Sequence, residues 1–182
     1  MAAKRFPQKH NYRNDLTAEY VRSILLYFPK TGQLFWKDRP ELYHPINVKM
    51  RGTLAGTVKP SGHRDVAIDK HIYAAARLIW LIQTGKWPKH EVDHKNVKPD
   101  DNRWKNLREA TPGQNCQNKR LRPDNTSGFK GVSWQASIGK WKASIGFERQ
   151  FYYLGIYDRL EDAAAAYRKA ARRFHRKFAR FK

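Results

Sequence analysis

Apolar and polar positions change rhythm several times along the chain. In DLTAEYVRSILLYF, residues 15–28, apolar side chains recur at helical spacing, Thr17 suits an N-cap, and Leu16 and Val21 stand at staple positions. This predicts a first helix. Pro29-Lys30-Thr31-Gly32 predicts a turn into a short strand at 33–36, and 37–52 reads as an irregular surface loop. From about residue 54 two strand-like stretches meet at Asp69-Lys70, which predicts a hairpin. The second stretch runs on into a helix with Gly85 as C-cap and Pro88 beyond it. WPKHEV predicts a short strand ending at Asp93-His94. KNVKPDDNRW loops back to a return strand, and a helix follows with Thr111 near its N-cap.

The stretch 121–128, LRPDNTSG, is rich in turn formers and builds no core, so it is expected to be a linker. Beyond it FKGVSWQA, WKASIGFE and FYYLGIYD predict three strands, with turns at 137–140 and 148–150. A final helix is predicted over DRLEDAAAAYRKAARRFHRKF. Its apolar stripe is Leu160, Ala163, Ala164, Tyr167, Ala170, Ala171, Phe174 and Phe178, and Asp158 with Glu161 predicts a capping box. The alanines allow this helix to lie close against a sheet. No internal repeat is evident.

Charge narrows the function. The 182 residues carry 37 Lys and Arg against 16 Asp and Glu, a formal +21. That excess implies a polyanionic partner, because each phosphate contact releases condensed counterions. The cations are spread along the whole chain rather than gathered beside one apolar face, which favours nucleic acid over a membrane surface. Cys116 is the one cysteine, so neither an internal disulfide nor a cysteine zinc site is available, and a reducing compartment is expected. No apolar run approaches the roughly 18 residues of a membrane-spanning helix. Residues 1–14 are polar and basic: an arm touching phosphate, or a solubilising tail.

The stretch 92–118, VDHKNVKPDDNRWKNLREATPGQNCQN, carries the candidate chemistry. Hydrolysing a phosphodiester requires a water to lose a proton, and charge on phosphorus and on the departing oxygen to be stabilised. A hard divalent cation serves the second need and takes oxygen ligands while keeping several waters. Asp93 offers a carboxylate, the asparagines offer amide oxygens, and His94 accepts a proton near neutral pH. A further amide or backbone carbonyl must fix the imidazole. The bland alternative makes these residues Asx-turn formers in a solvated loop, which suits Asn96, Asp100 and Asp101 best.

Taken together, residues 92–118 resemble the HNH nuclease motif in the asparagine-rich form of phage-type and homing endonucleases. YFPKTGQLFW, AGTVKPSGH and LIWLIQTGKWP resemble its usual lead-in. The resemblance implies a ββα-metal fold cutting double-stranded DNA with one divalent ion, Mg²⁺ or Mn²⁺, and no small-molecule cofactor. It implies Asp93 and Asn115 as metal ligands, His94 as general base, and Asn106 holding the loop and the histidine. Arg103, Arg108 and Lys119 are expected on flanking phosphates. One motif per chain implies one nick per active site from a monomer or weak dimer, in the cytoplasm of a phage-infected bacterial host. One position departs from the pattern: where many relatives place a histidine before the arginine of the preceding helix, this chain has Ala76. That departure sustains the alternative, a DNA-binding regulator whose nuclease motif is weak or inactive.

SGFKGVSW, GKWKASI, YYLGIYD and EDAAAAYRKAA resemble an AP2 (ERF-like) DNA-binding domain, in which a three-stranded antiparallel sheet packs on one helix and enters the major groove. Expected contacts are Lys130, Trp134, Lys140, Lys142, Arg149 and Tyr152, with Trp134 and Trp141 equally able to be core residues. The expected class is α+β: arm 1–14, HNH unit 15–120, linker 121–128 and AP2-like domain 129–182. RNA binding by basic arms is a third option, disfavoured because the last module resembles a duplex reader.

Overall fold

The computed structural model describes residues 13–38 and 50–181. All but the last two residues of the expected arm, and most of the loop expected at 37–52, lie outside the described residues. Helices and strands are mixed, and the chain forms two compact units, 1–88 with 99–105, and 89–98 with 106–182.

In the first unit Thr17 caps α1 (Ala18–Ile24), its Oγ1 accepting from the Tyr20 amide at 3.1 Å. The expected helix stops at Ile24, and Leu25–Phe28 is instead a strand, β1. The reason is tertiary: β1 pairs antiparallel with β2 (Gln33–Trp36), burying Leu25 and Tyr27 on one face. That pairing outweighs a weak local preference for helix. β3 (Thr57–Val58), β4 (Arg64–Ile68) and β5 (His71–Ala74) form an antiparallel sheet in that order. Asp69 and Lys70 both take positive φ, 49° and 65°, the two-residue turn whose twist matches the flanking strands. α2 (Ala75–Thr84) follows directly and ends at Gly85, which sits at φ 74° and donates to Leu81 O. Val21, Leu34, Val66, Leu78 and Ile79 are the sealed centre of this unit.

Residues 99–105 complete the first unit. Tyr27 OH donates to Asn102 O at 2.8 Å, the Trp104 amide donates to Pro29 O, and the Trp80 and Trp104 rings stand 5.3 Å apart. Arg64 grips Asp100 through both carboxylate oxygens, at 2.9 and 3.0 Å.

In the second unit β6 (Glu91–His94) pairs antiparallel with β7 (Leu107–Ala110), setting Asp93 opposite Arg108. α3 (Pro112–Asn118) follows at once, and Thr111 and Gln114 form a reciprocal capping box. β8 (Val132–Gln135), β9 (Lys140–Phe147) and β10 (Gln150–Tyr157) make a second antiparallel sheet with β9 central. α4 (Leu160–Phe174) packs Ala163, Ala164, Tyr167, Ala170 and Ala171 onto Val132, Ala143 and Ile145.

Three local expectations are corrected. The first strand of this sheet opens at Val132, not Phe129, because Gly131 turns the chain at φ 66°. The Asp158–Glu161 capping box does not form: the N-cap is Arg159, with no side-chain cap bond, and Asp158 pairs with Lys140 at 2.9 Å. α4 also ends at Phe174, so Phe178 leaves the stripe and is buried from a separate 3₁₀ turn, Arg176–Phe178.

Gly131 is required twice over. A Cβ there would lie 2.3 Å from both Ser144 O and the Tyr167 ring, at a φ that L-residues avoid. Gly131→Ala is expected to cost about 2–4 kcal/mol, adding left-handed strain to overpacking. Chemical denaturation of the variant measures this, and an unchanged midpoint contradicts the packing described.

Candidate nuclease site

Asp93 and His94 close β6 and are 5% and 6% exposed. A carboxylate this deep needs donors. Arg108, its partner across the hairpin, supplies one: Nε meets Asp93 Oδ2 at 2.8 Å. Asn118, at the end of α3, supplies the other. Its amide nitrogen donates to both Asp93 oxygens at 2.9 and 3.0 Å, and to His94 O at 2.9 Å. Asn118 is itself 3% exposed.

Behind the histidine, the Asn106 and Asn96 amides lock together. Asn106 Nδ2 donates to Asn96 Oδ1 at 3.0 Å, and Asn106 Oδ1 accepts from the Asn96 backbone amide at 3.1 Å. The Lys95 amide donates to Asn106 O at 2.9 Å. The turn after His94 is therefore held by side-chain and backbone bonds at once.

Asn115 lies one helical turn before Asn118, and its amide donates to Glu91 Oε2 at 2.5 Å. Glu91 and Asp93 are two residues apart on one strand and so share a face. α3 thus lays two amides along one edge of β6, Asn115 at Glu91 and Asn118 at Asp93. Sequence reasoning named Asn115, read Asn96 as an Asx-turn former, which its Oδ1 accepting from the Lys98 amide at 2.9 Å matches, and passed over Asn118 and Glu91. The available signal was the three-residue spacing of Asn115 and Asn118, which puts both on one side of a helix.

The remaining expected contacts are dispersed. Arg103 is engaged by Asp101, Nε to Oδ1 at 2.7 Å, and this bonding raises its pKa. Lys119 is exposed at the C-cap of α3. Lys130 donates to Gln117 O and Lys119 O, both at 2.8 Å, so it braces the end of α3. Lys140 pairs with Asp158, and Arg149 lies exposed in the β9–β10 turn at φ 65°. Trp134 is 49% exposed and meets Trp141 edge-on at 5.0 Å. Tyr152 pairs with Ile145 and stacks on Phe174 at 5.1 Å, on the α4 side of the sheet. The opposite face carries Lys142, Phe151 at 88% exposure and Tyr153 at 62%.

A metal would meet oxygen donors here. Among the described residues no three His, Cys, Asp or Glu side chains gather to hold an ion, so a fully protein-built cage is not formed. The set along this edge of β6 is two carboxylates, Glu91 and Asp93, and several amides. That suits a hard cation which keeps most of its waters, and Arg108 and Asn118 leave Asp93 with lone-pair capacity to spare. The donor set fits such an ion.

The profile of the HNH endonuclease family matches residues 73–117, a span that contains Asp93, His94, Asn106 and Asn115 and stops one residue short of Asn118. Protein 3.8 of Escherichia phage T7 is 34% identical over 117 residues, which is 62% of this chain and 96% of that protein. No solved structure matches. No helix among the described residues is long and apolar enough to cross a membrane.

Burial pushes the Lys130 ammonium down to about 8 from its ordinary 10.5, with the nearby Arg180 charge adding to the effect. Below pH 8 the folded and unfolded chains both hold this proton. Between about 8 and 10.5 only the unfolded chain does, so stability contributed at this position rises with pH across that window. Thermal unfolding at pH 7 and pH 10 should show wild type gaining on Lys130→Met at the higher pH. A constant gap at both values contradicts the depressed pKa.

Proposed function

The chain belongs to the family of phage T7 Protein 3.8 and carries an HNH endonuclease domain at 73–117, and from that premise we propose a metal-dependent endonuclease that hydrolyses one phosphodiester of duplex DNA per active site. The observation that carries this reading is the convergence on β6. Asp93 and His94 sit side by side, the Asn96–Asn106 lock closes the turn behind them, and the α3 amides lie along the same strand.

His94 takes the proton from the attacking water. The Asn96–Asn106 bonds in the following turn limit the freedom of its backbone, and the bond from Asn118 to His94 O ties that backbone to α3. Asp93 and Asn115 are the ligands we assign to the ion, Mg²⁺ with Mn²⁺ as substitute, and Asn118 positions the carboxylate. When bound, the ion supplies Lewis-acid stabilisation to the phosphate and to the leaving 3′ oxygen. Arg108 pairs with the buried Asp93 carboxylate at 2.8 Å and offsets the cost of its desolvation.

We assign placement on DNA to the β8–β10 sheet with α4, read as an AP2-like module. Its solvent face supports that reading, since Lys142 shares that face with the exposed Phe151 and Tyr153, a cation and stacking surface on one side of the sheet. Ala76, on α2 at 8% exposure, favours a second reading in which this module binds DNA and the nuclease site does not cut.

Plasmid nicking with Mg²⁺ or Mn²⁺ separates the two. His94→Ala is expected to lose about 10²–10⁴-fold in nicking rate, the usual worth of a general base, with its mobility shift intact. Wild-type protein that shifts supercoiled plasmid without ever nicking it establishes the second reading. Titration of Mn²⁺ by calorimetry tests the ligands: Asn115→Ala should weaken binding about 10–100-fold. Equal affinity in that variant, with loss in Asn118→Ala, moves the ligand role to Asn118.

A further inference from the structure

The second unit contains a cavity of about 600 Å³ that the reading above leaves unused. Its walls include Lys95 from the turn after β6, Arg108 from β7, Asn118 from α3, Arg168 from α4, and Lys177 and Arg180 from the segment beyond α4. Five of these six are cations, and no carboxylate lines the space. Among the described residues Arg168, Lys177 and Arg180 form no ion pair with an acidic side chain. Cations gathered around a concavity repel one another and focus a positive potential into it, which favours an anionic occupant.

The wall is built rather than accidental. The segment beyond α4 is fastened to the nuclease hairpin: Arg108 Nη1 donates to Lys177 O, and the Arg108 guanidinium lies 3.9 Å from the centroid of the Phe178 ring. Arg180 donates to Asn118 Oδ1 at 3.3 Å and to Lys95 O at 3.4 Å. Arg108 and Asn118 each face two ways, toward Asp93 on one side and the cavity on the other.

We propose that this cavity seats the phosphodiester backbone of duplex DNA beside the bond that is cut, with Arg168, Lys177 and Arg180 as the phosphate-binding side chains. The proposal rests on the nuclease reading and deepens it. The residues beyond α4, C-terminal to the span that the HNH profile matches, supply one wall of the substrate site. Lys177 and Arg180 then serve the cut strand rather than the tail of the helix.

The test uses the full chain in EDTA, where hydrolysis is silent. An Arg168→Gln, Lys177→Gln double variant, checked for fold by circular dichroism, is titrated with mixed-sequence duplex DNA over a range of salt. The slope of log K against log salt should fall by about 1.8, that is about 0.9 for each of two phosphate contacts. A folded variant with the wild-type slope overturns the proposal. A reduced slope in a protein that never nicks plasmid keeps the cavity as a DNA site and removes only the nuclease reading. Where the variant does not fold, acylation of Lys177 in wild-type protein decides: duplex DNA should slow it at least several-fold. Equal rates with and without DNA overturn the proposal, as does protection by single-stranded RNA alone or by inorganic phosphate alone.

Discussion

A carboxylate that is 5% exposed is the constraint around which the second unit is arranged. Removing an unpaired carboxylate from water costs several kcal/mol, so Asp93 is tolerable only among donors. Those donors come from two separate elements. Arg108 reaches it across the hairpin and Asn118 from the end of α3. Each is held in turn by the segment beyond α4, Arg108 by Lys177 O and the Phe178 ring, Asn118 by Arg180. Satisfying one buried charge thereby ties hairpin, helix and C-terminal segment into one cooperative set. A network of this kind is stable when complete and costly when one member is removed.

Much of the architecture could be read from residue order. The Asp69-Lys70 turn, the Gly85 cap, the Thr111 cap and the alanine stripe of α4 are local signals, and each acts where it stands in the chain. The HNH segment was legible because several polar residues recur in a fixed order. What escaped depends on pairing between distant residues. LLYF reads as helix until its partner QLFW is known. Asp158 looks like a cap until Lys140 is found beside it.

The site shows the same division. Asp93-His94 announces itself, whereas the choice between Asn115 and Asn118 depends on how α3 crosses β6, which spacing alone does not reveal. Tyr152 and Tyr153 differ by one residue, and only the register with β9 decides which faces α4. Tyr152 lies opposite Ile145 and turns inward, while Tyr153 lies opposite Ser144 and turns to solvent. Arg108 looked like a surface cation available to phosphate. Its register position opposite Asp93 gives it a structural charge to neutralise first.

The loop at 99–105 has a consequence for how the molecule comes into being. Tyr27 needs Asn102, Pro29 needs Trp104 and Arg64 needs Asp100, all residues that follow the first strand of the nuclease hairpin. During synthesis the first unit therefore stays unfinished until residues 99–105 have left the ribosome, by which point Asp93 and His94 have already emerged. A fragment cut at Pro88 would lack its own closing piece, so the two units are interleaved in order of birth.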